Sequence, residues 1–147
     1  MGYLAVIAAV SADKGVVHIR VESSAISAEE FMPYLRTLSR KMDHKPFALY
    51  MDQLTVHKAK EVKTLYEELS ITVIFNVSYS PELNPIETCF SSVKAVFKRS
   101  RLHALARGDD FDMETGVRKA FKTIKPQLVQ GCIKRSMALL RISKGQE

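Results

Sequence analysis

Two acidic residues carry the most chemistry in this sequence of 147 residues. Asp52 ends the apolar run Pro46-Phe-Ala-Leu-Tyr-Met51, whose composition predicts a short buried strand. In open α/β sheets, sites form at the carboxyl ends of strands, which is where Asp52 falls. Glu87 follows Asn84-Pro85-Ile86, a helix start in which Asn is the cap, Pro the first helical residue and Glu the third. That helix comes after the next predicted strand, Ile71–Phe75, so both carboxylates can meet at one edge of a sheet. Paired carboxylates are hard oxygen ligands suited to Mg²⁺ or Mn²⁺. Two such ions about 3.5–4 Å apart clamp the attacking and leaving oxygens of a phosphodiester. Each residue also has a structural reading: Glu87 as the partner in a capping box, Asp52 as the start of a turn.

The helix bearing Glu87 strengthens the first reading. At about 100° per residue, Glu87, Ser91, Lys94 and Lys98 share one face, opposite Ile86, Phe90, Val93 and Phe97. Arg99 and Arg101 extend the basic character. A carboxylate at the head of a basic strip suits a metal ligand beside a phosphate track. The same residues also serve as an ordinary solvated face, and His57 as a surface residue near a helix start.

The charge distribution points the same way. The net charge is +6, yet residues 1–90 carry −2 and residues 91–147 carry +8. A polyanion is the matching partner, and nucleic acid is the commonest one. With 46% hydrophobic and 26% charged residues the composition is that of a globular domain. Cys89 and Cys132 have neither CxxC nor zinc-ligand spacing, and the four histidines are scattered, which disfavours a disulfide scaffold or a zinc finger. The longest apolar run, Tyr3–Val10, is too short to cross a bilayer. No Lys or Arg precedes it, so it reads as a strand rather than a signal peptide, and neither secretion nor a membrane partner is expected. No glycine-rich phosphate loop supports a generic nucleotide-binding domain.

The elements that must position these residues follow from periodicity. Tyr3–Val10 predicts a buried strand, Ser11–Gly15 a turn and Val16–Glu22 a partly alternating strand, together a β-hairpin. Ser27 and Glu30 form a capping box ahead of a helix over 28–42, with Phe31, Leu35, Leu38 and Met42 inward and Pro33 inside it. A second helix over 58–69 turns Val62, Leu65, Tyr66 and Leu69 inward, between two strands joined by a right-handed parallel crossover. A loop follows over 76–83. Residues 101–111 read as a mobile charged connection, and helices over 112–124 and 127–141, separated by Pro126, complete an α/β chain with a mixed sheet.

Two segments carry a family likeness. Tyr50-Met-Asp52-Gln-Leu-Thr-Val-His57-Lys58 and Tyr79-Ser-Pro-Glu-Leu-Asn-Pro-Ile-Glu87 resemble DDE transposases of the mariner type, within the DDE superfamily of endonuclease domains. The second motif is the more specific, and the 35 positions from Asp52 to Glu87 match the family's spacing. The likeness runs from about Tyr3 to Arg101 and includes the Asp-Lys-Gly hairpin turn and Phe90-x-x-Val-Lys94. It implies an RNase H-like fold, a mixed sheet flanked by helices, and DNA cleavage and strand transfer by two Mg²⁺ (or Mn²⁺) ions on three carboxylates. Asp52 resembles the second carboxylate and Glu87 the third. His57 matches a frequent family histidine with a supporting role near the site or the DNA backbone, and Lys94, Lys98, Arg99 and Arg101 are the implied DNA contacts. Gln53 stands where the family usually has Asn, and Phe90 where it has a bulky aromatic, often Trp.

The first carboxylate of the family belongs on a strand preceding Tyr3–Val10. The sheet is therefore expected to lack its first strand and the site its first Asp, so that the catalytic set is incomplete in this chain, with a homodimer or a partner chain supplying the missing strand. The implied organisation is a partial RNase H-like catalytic domain over 1–101, with basic C-terminal helices over 102–147 packing on or extending it. DNA is the implied partner, in the nucleus of a eukaryote or otherwise the cytoplasm or nucleoid. The alternative is a non-catalytic, transposase-derived DNA-binding or assembly module, which would bind DNA with a steep salt dependence and cut nothing.

Overall fold

The computed structural model describes residues 4–52, 55–76 and 83–145. Strands β1 (Ala5–Ser11) and β2 (Gly15–Glu22) pair through a tight turn, and helix α1 covers Ala28–Lys41. Strand β3 (Phe47–Met51), a 3-10 turn (Thr55–Lys58), α2 (Lys60–Glu68) and β4 (Ile71–Phe75) come next, followed by α3 (Pro85–Arg107), α4 (Met113–Lys122) and α5 (Pro126–Gly145). The chain folds as two compact units, Met1–Ile7 with Arg20–Asn84, and Ala8–Ile19 with Pro85–Glu147.

In the first unit β3 and β4 are parallel and in register from Phe47↔Ile71 to Met51↔Phe75. The α2 crossover between them packs on β4 and on α1. The predicted stripes supply the core: Phe31, Leu35 and Leu38 of α1 meet Val62, Leu65 and Tyr66 of α2, and Leu35 and Val62 are 0% exposed. Tyr34 joins them, a residue outside the predicted stripe. The Ser27 cap forms as read, with Glu30 accepting a 2.6 Å hydrogen bond from the Ser27 backbone N–H. Pro33 is exposed, and α1 runs through it unbroken.

In the second unit α3 packs against both α4 and α5. Cys89 and Val93 of α3, Phe121 of α4, and Val129 and Cys132 of α5 are buried. Phe90 meets Phe121 edge-on at 6.0 Å, and Phe97 meets Phe111 at 5.4 Å. Pro126 opens α5, where its fixed φ and missing N–H are tolerated.

Four expectations need correction. Strand β1 is half-buried along its length rather than fully buried, and in β3 only Met51 is buried while Ala48 and Tyr50 are exposed. The reason is that the strands form two separate two-stranded sheets among the described residues, and so small a sheet cannot enclose its strands on both faces. The second helix begins at Lys60, because the 3-10 turn takes the preceding residues. Residues 101–107 are not a mobile connection but the last two turns of α3. Leu102, Ala104, Leu105 and Ala106 favour helix, and the chain stops only at Gly108, in the left-handed region at φ 73°. There Asp109 N–H donates to Ala104 and Gly108 N–H to Leu105, closing a Schellman motif.

Candidate catalytic carboxylate site

Asp52 follows β3 directly, at the carboxyl end of the parallel pair, as its place in the sequence predicts. Its carboxylate is held from two sides. Asn76, immediately after β4, donates through Nδ2 to Asp52 Oδ1 at 2.9 Å. Asn84 donates through Nδ2 to the same oxygen at 3.2 Å. Asn76 and Asn84 are only 2% and 4% exposed, two of the three buried polar residues among those described. The Asn76 backbone N–H donates to Met51 O at 2.7 Å, continuing the β3–β4 ladder by one bond. The ladder therefore brings the residues after the two strands together, and Asn76 faces Asp52 because the register requires it.

His57 sits in the 3-10 turn, with Nδ1 2.9 Å from the Asp52 backbone carbonyl. A carbonyl only accepts, so the neutral ring carries its proton on Nδ1. The ring lies 4.9 Å from that of Phe31. Burial pushes the imidazole below the ordinary histidine value, against smaller opposing pulls from the Asp52 carbonyl and carboxylate. Tyr66 fixes the turn from α2 by donating to the His57 carbonyl at 2.9 Å. His57 thus braces the backbone that carries Asp52.

Glu87 lies in the first turn of α3, where a negative charge suits the helix dipole. Ser91 donates to its backbone carbonyl at 3.1 Å. Lys94 and Lys98 are exposed and Arg101 half-buried on the face that Glu87 heads; Arg99 is exposed elsewhere on the helix. The structure thus joins Asp52 with His57 in the first unit, and Glu87 with the four basic residues on one helix of the second.

Sequence reading missed Asn76 and saw in Asn84 only a helix cap. A polar residue after a strand reads as loop, and only the β3–β4 register shows that it is buried against a carboxylate. Gln53 and residues 79–82 of the Tyr79–Glu87 motif lie outside the described residues. Asp52 offers the hard oxygen chemistry that Mg²⁺ or Mn²⁺ requires. Among the described residues, no group of three or more His, Cys, Asp or Glu side chains gathers into a cation site. No helix among them is long and apolar enough to cross a membrane.

Comparison with known proteins bears on the fold and the family. No curated protein sequence matches significantly. Among solved structures, the Mos1 transposase catalytic domain with raltegravir and Mn superposes with a TM-score of 0.57 at 18% identity, over 84% of this chain and 68% of that one. The pre-cleavage Mos1 transpososome gives 0.57 at 18% identity, over 89% of this chain and 43% of that one. A chain in the simian T-cell lymphotropic virus intasome with PP2A regulatory subunit B56 gamma gives 0.59 at 14% identity, over 74% and 37%. The sequence thus spans about two thirds of the Mos1 catalytic domain and under half of the Mos1 chain in the transpososome. These likenesses show the fold, which is the RNase H-like α/β fold of the Mos1 catalytic domain. The model of the DDE superfamily endonuclease family matches residues 2–107, most of the sequence and both candidate carboxylates, and the chain belongs to that family.

Proposed function

We propose that this chain is the catalytic-type domain of a mariner-type DDE transposase, cutting DNA and joining the cut end to a target with Mg²⁺ or Mn²⁺. The observation that carries the reading is the family match over residues 2–107, a range that contains Asp52 and Glu87, whose sequence motifs resemble those of the family's second and third carboxylates. Mos1 structures solved with Mn, and as a paired-end complex with a transposon end, add support for a divalent ion and for DNA.

Asp52 and Glu87 would hold the ions, which when bound polarise the scissile phosphodiester and ease loss of a proton from the attacking hydroxyl. Asp52 presents its carboxylate from a fixed rotamer at a strand end. His57 keeps the backbone of Asp52 in place through its carbonyl. Lys94, Lys98, Arg99 and Arg101 bind backbone phosphates and orient the duplex along α3, giving affinity that falls steeply with salt.

The test is nicking of supercoiled plasmid in Mn²⁺, comparing the wild type with Asp52→Ala and Glu87→Ala. Nicking lost at least 100-fold in both variants, with DNA affinity retained, is the expected result. Nicking that survives Asp52→Ala refutes the assignment. DNA binding with no metal-dependent cleavage in the wild type favours the non-catalytic module instead.

A further inference from the structure

We propose that Asn76 and Asn84 are positioning residues that lock the Asp52 carboxylate by one oxygen and present the other to a divalent cation, with Tyr50 bracing Asn76. The proposal rests on the reading of Asp52 as a cation ligand. Both amides donate to Oδ1, at 2.9 and 3.2 Å, and among the described residues no hydrogen bond falls on Oδ2. A carboxylate only accepts, so each amide must turn its NH₂ toward Asp52. For Asn76 this places Oδ1 on the opposite side, where the Tyr50 hydroxyl donates to it at 2.5 Å. The three groups form a relay from Tyr50 through Asn76 to Asp52, and each orientation follows from the next.

The relay is built from the sheet. Tyr50 is the next-to-last residue of β3, Asp52 follows that strand, and Asn76 follows β4. Asn84 completes the clamp after the Tyr79–Leu83 stretch. Burying two amides without partners is costly, so their burial around one carboxylate oxygen marks a constructed arrangement. Groups that orient a metal ligand through hydrogen bonds typically change metal affinity 10–100-fold when removed.

The experiment measures Mn²⁺ affinity of the full chain by electron paramagnetic resonance, beside metal-free melting and side-chain amide NMR. Asn76→Ala and Asn84→Ala should each weaken Mn²⁺ binding about tenfold. Tyr50→Phe keeps the ring at a position 37% exposed, should fold as the wild type does, and should weaken binding about two- to threefold. In Asp52→Ala the NH₂ resonances of Asn76 and Asn84 should both move, with no metal present. If those resonances do not move, the clamp does not exist. If Asp52→Ala weakens Mn²⁺ binding while Tyr50→Phe and both Asn variants bind as the wild type does, the positioning role is overturned and the ligand reading stands. If Asp52→Ala binds Mn²⁺ as the wild type does although the resonances move, the ligand reading itself is refuted.

Discussion

Tyr66 offers a direct test of how the turn carrying His57 is held. Its ring is buried at 6% exposure between α2 and the turn. Its hydroxyl donates to the His57 carbonyl at 2.9 Å and lies 3.7 Å from Met51 Sδ. Tyr66→Phe keeps the ring and its packing, so no cavity opens and only the hydroxyl's interactions are lost. A net hydrogen bond is worth about 1 kcal/mol, and leaving a carbonyl without its donor in a half-buried place raises the cost to about 1–2 kcal/mol. With an m-value near ~2 kcal/mol/M, the urea midpoint should fall by about 0.5–1 M with the slope unchanged. At roughly 2–4 °C per kcal/mol, the melting temperature should fall by about 2–8 °C. Alkaline titration gives an independent reading. Burial raises the Tyr66 phenol from 10.0 to about 12. A raised folded value means the stabilisation is complete below pH 10 and is lost as pH rises toward 12, because the unfolded chain ionises first. The variant should lose less stability than the wild type across that window. A midpoint shift under about 0.2 M would refute the hydrogen bond to His57, and an unchanged alkaline limb would refute the burial of the phenol.

Other consequences follow from the packing. A Cβ at Gly116 would sit 2.4 Å from the Phe111 ring, which packs on Phe97 of α3. Gly116→Ala should therefore destabilise α4 in thermal melts, since overpacking of about 1–3 kcal/mol outweighs the ~1 kcal/mol that Ala gains in a helix; a stabilised variant refutes this. The Ser27 side chain and backbone hold Glu30 below its ordinary 4.5, and Thr115 holds Asp112 below its ordinary 3.8. Their folded values lie under the unfolded ones, so the stabilisation is complete above pH 4.5 and is lost as pH falls further. Glu30→Gln with Asp112→Asn should flatten the fall in melting temperature between about pH 5 and 3. Cys89 and Cys132 are 1% and 3% exposed with sulfurs 3.6 Å apart, and burial pushes the Cys89 thiol up to about 12. At pH 8 iodoacetamide should leave both unlabelled in the native chain and label both in urea; rapid native labelling would contradict the packing of α3 on α5.

The sequence alone determined those features that depend on local rules. Periodicity placed the helices, the Ser27–Glu30 box located the start of α1, and the run Ile71–Phe75 matched β4 residue for residue. The motifs around Asp52 and Glu87 singled out these two carboxylates as candidates, because motif spacing is written along the chain. The end of α3 was misplaced by reading charge as looseness, although Gly108 was the available stop signal.

Tertiary structure decided what depends on which segments meet. Half-burial of β1 follows from its having only β2 as a partner among the described residues, and no hydrophobic count of one strand reveals how many neighbours it has. The clamp on Asp52 depends on β3 and β4 running parallel in a register that ends both strands at one edge. A shift of one residue would turn Asn76 to the other face and leave Asp52 without that donor. Burial of a polar side chain beside a carboxylate is a property of the pairing, not of either segment, and so Asn76 is legible only in three dimensions.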